Sequence, residues 1–288
     1  MKDSELHLYN TTSHASASVV IRQYSTSFGW ACRLLDARAR PHIENIYALV
    51  RVADELVDGP ATSAGVDSST QRLLLDELEQ ETERALAIGY STNLIVHAFA
   101  FTARRHSITM DLCRPFFASM RCDLDQREYD VSELAEYIYG SAEVVGLMCL
   151  RVFEAGRERS AIERERLVDG ARALGAAFQK INFLRDYGRD HDGLGRAYFA
   201  GTRHRLTDTS KADAVASIRS DLQVADATIP LLAPGCRAAV WAARSLFVQL
   251  TDQIEATPAL VIEKRRVSVP ATVKAAILAR ALAMKAAK

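Results

Sequence analysis

A chain of 288 residues, 49% of them hydrophobic, is long and apolar enough to bury a large core, which excludes a disordered chain. Lys+Arg and Asp+Glu are both 36, so the overall charge creates no pull toward nucleic acid or an acidic membrane surface. The five cysteines, Cys32, Cys113, Cys122, Cys149 and Cys236, are odd in number and never spaced CxxC, which argues against a disulfide framework or zinc site and for a reducing cytoplasm.

The N-terminus, Met1 to Asn10, carries Lys2, Asp3 and Glu5 and has no apolar signal core, so residues 1–20 are expected as a peripheral segment. A first helix can start at Pro41, tolerated in a first turn, and should stop at Gly59-Pro60. Tyr47, Arg51, Asp54 and Asp58 then share one face, among the mostly apolar Ile46, Leu49, Val50, Val52, Ala53, Leu56 and Val57. Residues 59–70 have loop chemistry. Leu74, Leu78, Ala85 and Ile88 recur at helical spacing, with Glu77, Glu81 and Arg84 available for the opposite side. The longest apolar stretch, Val144 to Leu150, is far short of the about 20 residues a membrane span requires, so a soluble protein is expected. Farther on, Gln179, Asn182, Asp186 and Asp190 repeat the three- and four-residue spacing amid Ala176, Ala177, Phe178, Ile181, Phe183 and Leu184, with Gly193 as the expected stop. Residues 192–211 again read as loop. Strand evidence is confined to scraps such as 266–269, too short for a sheet. The expectation is one all-α domain over residues 1–288.

Carboxylates at i, i+4 near a helix C-terminus are locally unfavourable: like-charge pairs cost roughly 0.2–0.5 kcal/mol and the helix dipole roughly 0.3–1 kcal/mol more. A single Asp-x-x-x-Asp is ordinarily a solvated face. Two, each on an apolar helix with cationic or amide neighbours on the same stripe and each followed by a loop, call for a cation between them. The ligand atoms are all oxygen, so Mg²⁺ suits better than zinc or copper, with Mn²⁺ as the substitute. Carboxylates on opposite walls of a cavity would grip Mg²⁺ and a diphosphate, making the latter a competent leaving group. The sequence contains no G-x-x-x-x-G-K-[ST], G-x-S-x-G or H-E-x-x-H, and Gly193-Leu194-Gly195 follows a helix, so P-loop, serine-hydrolase, zincin and dinucleotide readings fail.

From about Tyr24 to Pro270 the chain resembles the squalene and phytoene synthases, most closely bacterial phytoene synthases. The resemblance rests on Tyr24-Ser25-Thr26-Ser27-Phe28, on the run Arg51 to Asp58, on Tyr137 to Gly146, on Gln179 to Asp190, and on Gly195-Arg196-Ala197-Tyr198-Phe199. It implies a helical bundle of the isoprenoid-synthase type with a central cavity. It also implies a two-step head-to-head condensation of prenyl diphosphates through a cyclopropyl diphosphate. On this resemblance Asp54, Asp58, Asn182, Asp186 and Asp190 bind Mg²⁺-diphosphate, and Ser25, Ser27, Tyr47, Arg51 and Gln179 contact the diphosphate or the reacting end, with Arg185 placed to help. Phe28, Tyr137, Phe183 and Tyr198 would offer ring faces to cations, Ala142, Val145 and Gly146 would line the prenyl tunnel, and Ser141 and Arg196 would lie by the substrate.

Simpler roles stand beside these: Arg51 as the ion-pair partner of Asp54, Ser25 and Ser27 as helix caps, the aromatic residues as core, and Lys264-Arg265-Arg266 as a solvated run or a lid over diphosphate. Three positions depart from the family wording: Glu143, Arg189 and Phe247. The leading expectation is phytoene synthesis from two geranylgeranyl diphosphates, without NADPH. The alternatives are a farnesyl-using squalene or dehydrosqualene synthase, a head-to-tail or cyclising terpene enzyme, and a non-catalytic relative. A lipid-soluble product would suit transient contact with a membrane or a desaturase; no nucleic-acid partner is expected, and oligomeric state is not readable.

Overall fold

The computed structural model describes residues 2–125, 129–188 and 205–286, and among them the regular structure is entirely helical. Helix α1 (Lys2–Tyr24) packs against α3 (Arg40–Asp58) and α6 (Leu94–Arg105), after the short α2 (Thr26–Cys32) turns the chain. Residues 1–20 are thus more than trimming: Ser13 and Ala17 are fully buried. Polar groups cross this seam. The Tyr9 hydroxyl donates to Ser91 O (2.8 Å), His97 Nε2 meets Asn10 Oδ1 (2.7 Å), and the fully buried Asn45 amide nitrogen lies within hydrogen-bond distance of His14 Nδ1 (2.6 Å), Ala98 O and Thr102 Oγ1, which share its two hydrogens.

Helix α3 carries Pro41 in its first turn and ends at Gly59, whose φ of 147° suits a residue without Cβ. The expected loop beyond it contains a single turn, α4 (Pro60–Ser63), before α5 (Ser68–Ile88) starts on the Asp67 carboxylate, which accepts Thr70 N at 2.7 Å. The buried stripe of α5 is Gln71, Leu75, Thr82 and Ala85. This corrects the expected face: Leu74 and Ile88 point outward, at 39% and 72% exposure. Leu73, Leu74 and Leu75 are adjacent in sequence, so hydrophobicity alone could not choose among them.

Next come α7 (Met110–Asp125), α8 (Val131–Ile138) and α9 (Val144–Phe153), the last two joined by a π-helical turn, Tyr139–Glu143. Helix α10 (Ala161–Arg185) runs beside α9 at very close range. A Cβ added to Gly146 would lie 2.5 Å from Ala171 O, and one added to Gly175 would lie 2.6 Å from Ala142 O. Helices α11 (Asp208–Asp226) and α12 (Pro234–Ala256) close the bundle around α10, and α13 (Ala259–Ile262) and α14 (Ala271–Ala286) finish the chain. Residues 266–269 are irregular. No described helix is long and apolar enough to cross a membrane.

Candidate active site

The bundle encloses an apolar cavity of about 240 Å³ whose walls come from α2, α3, α9, α10 and α12. Val50 reaches it from α3, one residue before Arg51, and Gln179 reaches it from α10, one turn before Asn182. The two acid-bearing helices therefore open onto one chamber. Phe28, Ser141, Val145 and Gly146 also line it. The Ser141 hydroxyl is buried without a hydrogen-bond partner. Gly146 serves twice, leaving room in the chamber and letting α9 and α10 touch.

On α3, Arg51 pairs with Asp54 (2.6 Å) and also with Glu55, and its guanidinium lies over the Tyr24 ring at 4.8 Å. The ion-pair role foreseen for Arg51 is present, and Glu55 and Tyr24 are partners that the spacing argument had not assigned to it. Asp54 and Asp58 are half-buried. Tyr47 stacks with Phe28 at 6.0 Å and hydrogen-bonds with Ser25. Burial raises the Tyr47 pKa, against the lowering effect of Arg51 and Ser25, so the phenol stays protonated at neutral pH. Ser25 caps α2, accepting from Phe28 N–H at 3.1 Å, so the capping role foreseen for it is present.

The second acidic segment departs from expectation. Helix α10 stops at Arg185, and Asp186 occupies the C-cap instead of continuing the helical face. The backbone bends at Asp186 and is helical again at Tyr187 and Gly188, where a Cβ on Gly188 would lie 2.0 Å from Glu263 O, so this backbone is pressed against the segment after α13. Asp186 is only 8% exposed and is held by Arg185 and by Arg266, whose Nε lies 2.7 Å from Oδ1. The basic run 264–266 thus contributes one member to the site, although its side chain remains 65% exposed. Asn182 Oδ1 is buried with no hydrogen-bond partner.

Tyr137 lies in a separate cluster with Tyr129 and Phe183, at ring distances of 5.0 and 6.0 Å, and donates to the Asp123 carboxylate at 2.9 Å. It does not line the apolar cavity, so the core role is the one its surroundings express. Two departures from the family wording find local partners: Glu143 pairs with Arg172 at 2.7 Å, and Phe247 stacks on Phe178 at 3.8 Å. Asp190, Arg196, Tyr198, Arg189 and the Ser27 side chain lie outside the described residues. Among the described residues no three His, Cys, Asp or Glu side chains gather as a metal site.

A family model described as squalene/phytoene synthase matches residues 21–272. A phytoene synthase from Arthrospira platensis is 30% identical over 259 residues, covering 82% of each chain. Phytoene synthase 3 of Zea mays is 31% identical over 82% of this chain, which spans only 58% of that plant protein's length. Among solved structures, a dehydrosqualene synthase aligns over 97% of this chain with a TM-score of 0.75 at 22% identity. A squalene synthase from Alicyclobacillus acidocaldarius aligns over 96% with a TM-score of 0.68 at 21% identity. At those identities the structural likeness speaks for the fold.

Proposed function

The chain belongs to the squalene/phytoene synthase family, and we propose that within it the protein is a Mg²⁺-dependent phytoene synthase, joining two geranylgeranyl diphosphates head to head. The observation that carries this reading is the common, mostly apolar chamber of the two acidic helices, reached by Val50, next to Arg51 and one turn before Asp54 on α3, and by Gln179, one turn before Asn182 on α10. Cations that rearrange without being quenched need a mostly apolar wall, because hydrocarbon side chains offer no nucleophile.

Asp54, Asp58, Asn182 and Asp186, with Asp190, would hold the metal. The fit test is Asn182: a buried amide oxygen with no donor suits a hard cation, and every other member of the set is a carboxylate. Bound Mg²⁺ would neutralise diphosphate charge and stabilise it as a leaving group. Arg51 adds a positive charge at the same helix end, and Arg185 and Arg266 hold Asp186 in place. In the first step one substrate's C1–O bond breaks and its electrons leave with diphosphate. The double bond of the second substrate captures the cation, and proton loss closes the cyclopropane. The second diphosphate then departs, the skeleton rearranges, and a last proton is lost. The stacked rings of Phe28 and Tyr47 offer π faces to these cations, roughly 0.5–2 kcal/mol each when desolvated.

The span of the lining along α10 is comparable with the length of the C20 chain. Its lining on α10 runs from Gln179 back to Leu167, twelve residues or about 18 Å at 1.5 Å per residue. With carbon–carbon bonds near 1.5 Å an extended chain advances about 1.25 Å per bond, so the geranylgeranyl main chain reaches about 19 Å and the farnesyl chain about 14 Å.

The test is incubation of purified protein with each diphosphate and Mg²⁺, with and without NADPH, and identification of the hydrocarbon. Phytoene from the C20 substrate, independent of NADPH, is expected. Exclusive turnover of the C15 substrate would overturn the C40 assignment. Asp54→Ala and Asp186→Ala should each lower kcat/KM by about 10²–10³-fold or more, as for loss of a group that stabilises developing charge.

A further inference from the structure

Behind the prenyl cavity lies a second one of about 950 Å³, lined among others by Arg38, His42, Arg105, His106 and Arg157. The two differ in chemistry: the first is lined mostly by apolar side chains, whereas the second adds guanidinium and imidazole groups to apolar residues such as Pro41, Phe101 and Val152. They meet at the end of the first that lies farthest from the acidic segments, where Leu35 borders one and Asp36 the other, and Leu232 one and Ala233 the other. Among the described residues Phe153 alone faces both.

Helix direction fixes which end this is. Gly146 abuts Ala171 and Gly175 abuts Ala142, so α9 and α10 run antiparallel in contact. Ser141 and Gln179 therefore mark the acidic end, and Phe153, the last residue of α9, lies with Leu167 at the other. The wall is anchored from behind. Glu154, next to Phe153, is bound by Arg159 at 2.6 Å, and the same guanidinium donates to Leu231 O at 2.6 Å, tying the end of α9 to the segment that carries Leu232.

We propose that Phe153 is the end wall of the prenyl cavity and sets the longest chain the enzyme accepts, by separating the mostly apolar chamber from the more polar one. The inference rests on the proposed function, because it assumes that a prenyl chain fills the first cavity. A chain one isoprene unit longer than C20 would meet the ring. Removing the ring joins the two cavities and opens a continuation for the tail; enlarging it shortens the chamber.

The experiment measures kcat/KM of the wild type, Phe153→Ala, Phe153→Leu and Phe153→Trp with C15, C20 and C25 all-trans prenyl diphosphates and Mg²⁺, with circular dichroism and thermal unfolding as folding controls. The Ala variant is expected to raise the C25/C20 ratio at least about tenfold, the low end of what one methylene is worth in a fitted apolar pocket. The Leu variant should lie between wild type and Ala, and the Trp variant should lower the C20/C15 ratio by a similar factor. If the Ala variant fails to fold, the Leu and Trp variants decide. A wild type that turns over none of the three substrates overturns the proposed function. A wild type that uses the C20 substrate, with folded variants whose ratios match its own, overturns the end wall.

Discussion

His42 shows how a single buried side chain couples this fold to pH. It is 8% exposed, with Nδ1 2.9 Å from Thr102 Oγ1. Burial, and then the neighbouring His106, His14 and Arg105, lower its pKa from 6.5 to about 4. The unfolded chain takes up this proton near pH 6.5 and the folded chain only near 4, so the associated stability is complete above 6.5 and is lost as pH falls toward 4. The loss is on the order of 3 kcal/mol. Burial lowers His97 and His106 in the same direction. His42→Gln should therefore flatten the dependence of the urea midpoint on pH between 4 and 7; a slope equal to that of wild type would contradict the assignment. Within the candidate site, Asn182 Oδ1, the Ser141 hydroxyl and Arg51 Nε are buried polar atoms without hydrogen-bond partners among the described residues, a state that favours an external ligand because an unpaired buried group costs roughly 1–3 kcal/mol.

Among the elements, the α9–α10 pair carries most of the architecture of the cavity. Its two backbones touch at Gly146 and Gly175, so the helices cannot separate without widening the chamber, nor accept a methyl group without separating. Gly175→Ala places its Cβ against Ala142 O, Ala142 C and Glu143 Cα, all backbone atoms that no rotamer change can move aside. The expected cost is about 1–3 kcal/mol, which at about 2–4 °C per kcal/mol lowers Tm by several degrees. An unchanged Tm would show that the helices have slack. The break after Arg185 is the second decisive element feature. By ending α10 there, the fold turns Asp186 away from a simple continuation of the Gln179–Asn182 stripe and toward Arg266, more than one full helix later in the chain.

At the scale of the whole molecule, α1 closes the bundle over α3 and α6, and its polar contacts to Ser91, Asn45 and His97 would be left unmet without it. Deletion of residues 1–20 should cost several kcal/mol, since it exposes apolar surface and strands buried donors and acceptors. Thermal unfolding of the shortened chain is expected about 10 °C or more below the full chain; an equal Tm would make the helix dispensable. The all-helical class, the bounds of α3 and the shared face of Tyr47, Arg51 and Asp54 were legible in the residues, because helical periodicity, Pro41 and Gly59 act within a few positions of chain. The resemblance in the motifs pointed to the family in the same local way. The inward face of α5, the C-cap at Asp186, the Arg266 contact, the placing of Tyr137 with Asp123 and the wall at Phe153 were not legible. Each depends on which distant segment comes to rest against it. Sequence by itself determined the helices and the chemistry they carry; only tertiary packing decided which carboxylates are held, by which arginines, and where the apolar chamber ends, because those follow from contacts between residues tens of positions apart.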